Sequence, residues 1–124
     1  MQTLTTVLIA DDEPSMRLLV HTTIESESYD VVEAGDGDEA WAFIKRYRPA
    51  LVLLDIQMPG RTGLEILASI KSDPDLGNVR VILMTARALD ADRTAGMAAG
   101  ADFYLTKPFS PLELLARVQE ALGV

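Results

Sequence analysis

Polar side chains that could do chemistry follow the short apolar runs of this chain. Asp11 and Asp12 come directly after the first run, and Asp55 ends the third. Thr85 ends the fourth run, and Lys107 follows the fifth. Carboxylates that lie close together repel one another, so such a group needs a cation. Oxygen ligands without cysteine or clustered histidine favour Mg²⁺, which binds carboxylates together with phosphate oxygens.

The elements that must position these residues are visible as an alternation of apolar runs and helical patterns. The runs are 7–10, 31–34, 51–54, 81–84 and 103–105. The first, third and fourth are apolar throughout, which is typical of parallel strands covered on both faces. The second alternates less cleanly, so we expect it nearer an edge. The alternation predicts a five-stranded parallel sheet with helices on both faces, whose crevice lies beyond the carboxyl ends of the strands.

Start and stop signals bound the helical segments between the runs. We expect a first helix from Pro14, and further helices over 36–46, 62–71 and 90–99, the last of these closing on Gly100. A capping box, Ser110-Pro111-Leu112-Glu113, opens the final helix. His21 is expected on the surface of the first helix, and Trp41 on the core-facing side of the second.

Composition excludes several classes of function. The 124 residues suit one domain spanning 1–124. The chain has no cysteine and one histidine, which excludes disulfides, thiol nucleophiles and multi-histidine metal sites. A formal charge of −8 is a poor match to nucleic acid or an anionic membrane. No signal peptide or long apolar span is visible, so we expect a cytoplasmic domain.

Four motifs at the ends of four predicted strands carry a specific resemblance that covers the whole chain. They are Ala10-Asp11-Asp12-Glu13-Pro14, Leu53-Leu54-Asp55-Ile56-Gln57-Met58-Pro59-Gly60, Met84-Thr85-Ala86 and Leu105-Thr106-Lys107-Pro108-Phe109. Together they resemble the receiver domain of bacterial two-component response regulators. The resemblance implies a flavodoxin-like (βα)5 fold and a phosphoryl-accepting switch, rather than an enzyme with turnover.

The resemblance also implies a role for each matching position. Asp55 would accept a phosphoryl group from the phosphohistidine of a sensor kinase or phosphotransfer protein. Mg²⁺ or Mn²⁺ would be bound by Asp11, Asp12, Asp55 and the backbone carbonyl of Gln57. Lys107 would bind the phosphoryl group and form a cis peptide bond with Pro108. Thr85 and Tyr104 would be the switch residues, and Thr85 would also contact the phosphoryl group.

Regulation and output are implied at the positions around this centre. Gln57 and Arg87 match positions that tune dephosphorylation. The output face would comprise the fourth helix, the fifth strand and the fifth helix, acting on a downstream protein or a fused output domain. Four charged residues there are similar to those that pair in phosphorylation-driven homodimers of one subfamily: Arg93, Asp102, Glu113 and Arg117. The chain departs from that subfamily at Phe103, where an acidic residue is usual.

Other functions place different demands on the same positions. A haloacid-dehalogenase-like phosphohydrolase needs a second aspartate two residues after the first, where Gln57 stands. A flavodoxin-like FMN binder needs a hydroxyl-rich phosphate loop after the first strand, and here that loop is acidic. A pseudo-receiver that binds partners constitutively generally lacks one of the acidic positions or the lysine, and this chain retains them all.

Overall fold

The computed structural model describes residues 5–25, 29–86 and 90–123, with only the backbone described for 90–93. Strands and helices alternate strictly along this part of the chain. The strands are β1 Thr5–Ala10, β2 Tyr29–Ala34, β3 Leu51–Asp55, β4 Arg80–Thr85 and β5 Phe103–Thr106. The helices are α1 Pro14–Ile24, α2 Gly37–Tyr47, α3 Gly63–Ser72, α4 Asp90–Ala98 and α5 Pro111–Leu122, with a 3₁₀ turn at Pro74–Leu76.

All neighbouring strands are parallel, in the order β2-β1-β3-β4-β5. The order confirms the prediction from apolar character, because the three uniformly apolar strands are interior and β2 is at an edge. The chain leaves β1 towards β2 on one side and continues with β3 on the other. This reversal opens a crevice at the carboxyl ends of β1 and β3.

Two apolar cores lie on opposite faces of the sheet. Along β3, Val52 and Leu54 join the core beneath α2 and α3, whereas Leu51 and Leu53 join the core beneath α1 and α5. All four side chains are fully buried. Burial of each such side chain stabilises the fold by about 1.5 to 3 kcal/mol, so β3 is held from both faces.

Helix boundaries agree with the predicted segments to within a residue at most ends. Ser110 caps α5 by accepting a hydrogen bond from the Glu113 amide, which is one half of the predicted capping box. Gly100 follows α4 with φ +102°, the left-handed conformation expected of a glycine after a helix. Trp41 lies at the rim of its core, half-buried, with the Arg61 guanidinium 5.4 Å from its ring centroid.

Within the part of the chain that the structure describes, no helix is long and apolar enough to span a membrane.

Candidate functional site

The carboxyl ends of four strands bring the predicted polar residues to one rim. Asp11 directly follows β1, Asp55 ends β3, Thr85 ends β4 and Lys107 follows β5. The strand register keeps these ends level, because Asp55 pairs with Met84 and Thr85 pairs with Thr106. Asp11, Asp55 and Thr85 are the polar side chains among the buried residues of the structure as described.

Lys107 forms ion pairs with two carboxylates at this rim. Its ammonium nitrogen lies 2.6 Å from Asp11 Oδ2 and 3.2 Å from Asp55 Oδ2. The side chains are 11% exposed for Lys107, 0% for Asp11 and 9% for Asp55. At such burial water screens the charges poorly, so each charge depends on its partners. Lys107 therefore supplies part of the positive charge that the clustered carboxylates were expected to need.

Backbone amides donate hydrogen bonds to the same two carboxylates. Asp11 Oδ1 accepts a hydrogen bond from the Glu13 amide at 2.9 Å, and Asp55 Oδ1 accepts one from the Gln57 amide at 3.2 Å. The Lys107 amide donates to the Thr85 carbonyl at 2.7 Å, which ties the lysine loop to β4. The Lys107–Pro108 peptide bond is cis, as the resemblance implies.

Burial and neighbouring charges shift the pKa values of two of these groups. Burial raises the pKa of Asp55 above its usual value, and Asp11 adds to this effect, while Lys107 and the Gln57 amide oppose it only in part. Burial would lower the pKa of Lys107, but its contacts with Asp11 and Asp55 outweigh that effect and raise it. Lys107 is therefore protonated at neutral pH, and Asp55 is the carboxylate that ionises less readily than usual.

Three carboxylates at the rim could hold a metal ion. Asp11, Asp12 and Asp55 each offer an oxygen within 4.8 Å of the others, and Asp12 is the exposed member. An all-oxygen set with one exposed ligand suits a hard cation that keeps several waters, as Mg²⁺ does. The donor set therefore fits the expected metal.

A cavity of about 220 Å³ opens beside this cluster, and its lining includes Asp12, Asp55, Gln57, Thr85 and Lys107. Acidic, hydroxyl and ammonium groups thus face one small space. The arrangement can take an anion next to Lys107 while the carboxylates bind a cation. That is the combination required for handling a phosphoryl group with its counterion.

Close backbone packing holds the loop between β3 and α3, a feature the sequence analysis missed. The Gly37 amide donates to the Pro59 carbonyl at 2.9 Å, and a Cβ at Gly37 would overlap the Arg61 carbonyl. A Cβ at Gly63 would overlap the Asp55 carbonyl. Glycine at the first position of α2 and of α3 therefore lets both helices start against this loop. These two glycines are the feature of the sequence from which the close packing could have been predicted.

The two predicted switch residues lie between the site and α4. Thr85 is buried at the rim. Tyr104 is half-buried in β5, paired with Leu83, and its ring lies just under 4 Å from the Cβ position of Gly96 in α4. Tyr104 therefore lies against α4, whereas Thr85 lies at the rim on the adjacent strand.

Residues of the predicted dimer face have partners within the chain. Asp102 accepts a hydrogen bond from the Val81 amide at 2.8 Å and lies 3.5 Å from Arg80. Arg117 pairs with Glu120 at 2.8 Å and packs over the ring of Phe103. Glu113 is exposed. Arg87 and the side chain of Arg93 lie outside the described residues.

Comparison with known proteins gives a consistent result. A family model for the response regulator receiver domain matches residues 7–119. The response regulator GtcR of Aneurinibacillus migulanus is 39% identical over 117 residues, covering 94% of this chain and 47% of that protein. The phosphate regulon regulatory protein PhoB of Pseudomonas aeruginosa is 38% identical, covering 94% and 51%. This chain thus spans about half the length of these curated relatives.

Solved structures match over the full length of their chains. The chemotaxis response regulator CheY4 of Vibrio cholerae superposes with a TM-score of 0.88 at 32% identity, covering 97% of this chain and 100% of that one. A response regulator from Chloroflexus aurantiacus gives 0.90 at 30% identity, with 98% and 100% covered.

Proposed function

The chain belongs to the response regulator receiver family, whose members accept phosphoryl groups in two-component signalling, and on this premise we propose that Asp55 is its phosphoacceptor. One observation carries the proposal. The Asp55 carboxylate lies beside the Lys107 ammonium, within reach of two further carboxylates, and lines a cavity open to a donor. The whole chain, 1–124, would act as one receiver unit.

The transfer would take the phosphoryl group from a phosphohistidine of a partner kinase or phosphotransfer protein. An Asp55 oxygen attacks phosphorus, an O–P bond forms, the N–P bond breaks, and its electron pair returns to the imidazole nitrogen. A carboxylate is a weak nucleophile, so the gain comes from positioning and from neutralising the charge of the phosphoryl group. Only the ionised form of Asp55 can attack the phosphoryl group. Because its pKa is raised, Asp55 remains protonated, and therefore unreactive, up to a higher pH than an ordinary aspartate.

A divalent cation would complete the site. Asp11, Asp12 and Asp55 would hold Mg²⁺, or Mn²⁺, together with the backbone carbonyl of Gln57. When bound, the ion neutralises phosphoryl oxygens during transfer. Its charge would also favour the ionised form of Asp55.

Lys107 would exchange partners during the reaction. It bridges Asp11 and Asp55 by short ion pairs, and phosphoryl oxygens offer it equivalent acceptors in the same cavity. Its raised pKa keeps it charged for this contact. The lysine therefore compensates the carboxylates before transfer and the phosphoryl group afterwards.

The new phosphoryl oxygens would then bias a switch. Thr85, also on the cavity wall, would donate a hydrogen bond from its hydroxyl to a phosphoryl oxygen and move inward, and Tyr104 would follow into the vacated space. A change from 1:99 to 99:1 needs about 5.5 kcal/mol of differential stabilisation. The readout would be the face formed by α4, β5 and α5, acting on a downstream protein, a fused output domain or a second copy. Gln57 and Arg87 would tune the loss of the phosphoryl group.

Output contacts would require rearrangement at the predicted dimer face. Asp102 and Arg117 would have to exchange internal partners for each other across a twofold axis. Exposed ion pairs contribute little individually, so Phe103 would supply much of the contact. We place the domain in the cytoplasm, where histidine kinases present their phosphohistidine.

The test is intact-mass spectrometry after treatment with a small phosphodonor, with and without Mg²⁺. We expect a single phosphoryl adduct that depends on Mg²⁺ and is absent in Asp55→Asn. Asp102→Asn is the matched control, because it removes a carboxylate at the opposite end of the sheet. Size exclusion with beryllofluoride reports whether the activated form dimerises.

Each alternative predicts a different outcome of this test. A pseudo-receiver gives no adduct under any condition and binds its partner regardless of Mg²⁺. A phosphohydrolase releases phosphate from the donor over many turnovers. An adduct that persists in Asp55→Asn would overturn the assignment of the phosphoacceptor.

A further inference from the structure

Arg17 donates a hydrogen bond to the backbone of the acidic loop, which comprises Asp11, Asp12 and Glu13 after β1. It lies in the first turns of α1, and its Nη1 donates to the carbonyl oxygen of Asp11 at 2.7 Å. That carbonyl belongs to the peptide unit joining Asp11 to Asp12. Since a peptide unit is planar, holding its oxygen fixes the orientation of the whole unit. Arg17 therefore acts on the link between two carboxylates without touching either carboxylate.

Arg17 is itself oriented by a charged side chain from β2. Its Nε donates to Glu33 Oε1 at 3.2 Å, while Glu33 Oε2 lies 2.7 Å from His21 Nδ1. A carboxylate only accepts, so His21 Nδ1 carries the proton in this contact. Arg17 and His21 are 20% and 28% exposed, so all three groups are partly shielded. The contacts therefore run from His21 to Glu33 in β2, from Glu33 back to Arg17, and from Arg17 to the Asp11 carbonyl.

The remaining polar groups of Asp11 are also occupied. Its amide donates to the Ala34 carbonyl at 3.1 Å, and its carboxylate oxygens accept from the Glu13 amide and from Lys107. Arg17 supplies the contact on the one remaining polar atom, the carbonyl oxygen. Loss of that contact would free the peptide unit between Asp11 and Asp12 to rotate.

We infer that Arg17 is a positioning residue for metal binding, which sets the Asp11–Asp12 peptide unit and is held in place by Glu33 and His21. The inference rests on the proposed function, because it takes Asp11 and Asp12 as ligands of Mg²⁺. Partners that orient metal ligands in this way typically contribute tenfold or more to metal affinity.

Charge alone makes the opposite prediction, which gives the inference a sharp test. Arg17 is a cation near a cation site, so removing its charge should tighten Mg²⁺ binding through electrostatics. Removing a positioning contact should weaken binding. Arg17→Met therefore separates the two effects by the direction of the change. Arg17→Lys keeps the charge, but its single ammonium cannot reproduce the guanidinium fork that spans Asp11 and Glu33.

The experiment is calorimetric titration of the full chain with Mg²⁺, with thermal unfolding recorded for every variant. We expect the Kd for Mg²⁺ to rise about tenfold in Arg17→Met and severalfold in Arg17→Lys. Arg80→Met is the matched control: it removes the same charge at the amino end of β4, and its Kd should stay within about twofold of wild type. Amide hydrogen exchange without metal gives a second readout. The Glu13 amide donates to Asp11 Oδ1, so it should exchange faster in both Arg17 variants.

The outcomes are distinguishable. Binding that is unchanged or tighter in Arg17→Met, with exchange of the Glu13 amide unaltered, would overturn the inference and leave the proposed function standing. Wild-type Kd in Arg17→Lys would do the same, and this variant decides the matter if Arg17→Met does not fold. Absence of Mg²⁺ binding by the wild type would overturn the proposed function, and the inference with it.

Discussion

The sheet carries a charged cluster at each end, and the two clusters differ in ion-pair distance and in burial. At the carboxyl end, Lys107 lies 2.6 Å from Asp11 and both are nearly buried. At the amino end, Arg80 lies 3.5 Å from Asp102 and its side chain is 60% exposed. Similar pairs of acid and base thus sit in opposite environments within one small domain.

The difference shows where the fold holds charges against the cost of burial. Exposed pairs are screened by water and salt and contribute at most about 1 kcal/mol. Buried charges cost several kcal/mol each unless they are paired. The carboxyl end holds such charges and shifts the pKa values of Asp55 and Lys107, which is typical of a functional site.

The largest contrast should appear when the base of each pair is neutralised. Lys107→Met should slow phosphorylation by a small donor about 100-fold or more, because a preorganised charge next to the phosphoryl group is lost. Arg80→Met should leave the rate within about twofold of wild type. Single-turnover kinetics followed by mass spectrometry measure both rates. Equal rates in the two variants would remove the functional distinction between the ends.

A smaller contrast concerns backbone space. Gly37→Ala should lower the free energy of unfolding by about 2 kcal/mol, because its Cβ would overlap the Arg61 carbonyl. Gly77 lies near the amino end of β4 with φ −60°, and the nearest atom to its Cβ position is 3.6 Å away. Gly77→Ala should therefore stabilise by about 0.5 kcal/mol through the unfolded chain. Urea unfolding measures both, and equal effects would contradict the close packing seen at the carboxyl end.

The smallest contrast concerns the acids, and it depends on pH. Because the pKa of Asp55 is raised in the folded state, its protonated form stabilises the fold at low pH, and this contribution is lost as pH rises through the folded pKa. At pH 7, the free energy of unfolding of Asp55→Asn should therefore be about 1 kcal/mol higher than that of wild type.

The pH dependence provides the check on that sign. The gain in Asp55→Asn should shrink as pH falls from 7 through the raised pKa of Asp55, because the wild-type side chain then becomes neutral too. Asp102→Asn should bring no gain at pH 7, because an amide oxygen can still accept from the Val81 amide while the pair with Arg80 is lost. Urea unfolding across this pH range decides the matter. A gain independent of pH would show that ionisation of Asp55 is not its cause.

Much of this molecule could be predicted from local pattern alone. Uniformly apolar runs identified the interior strands, because a strand covered on both faces leaves no position for a polar side chain. The alternation of strands with helices then placed Asp11, Asp55, Thr85 and Lys107 at one rim, since crossovers in parallel sheets bring all carboxyl ends to the same edge.

Other features depend on residues far apart in the sequence. That Lys107 bridges Asp11 and Asp55 could not be read from residue types, because the distances depend on strand register. His21 was expected to be an ordinary surface residue, yet it contacts Glu33 of the neighbouring edge strand.

The sequence by itself determined the order of elements, the identity of the interior strands and which polar residues share a rim, since these follow from short-range periodicity. Only the tertiary structure decided which of those residues touch, how deeply each charge is buried and which second contacts hold them. The hydrogen bond from Arg17 to the Asp11 carbonyl is one such second contact, because it depends on how α1 packs against β1 and β2. The geometry of contacts between residues far apart in the sequence is set by packing, and packing is a property of the whole chain.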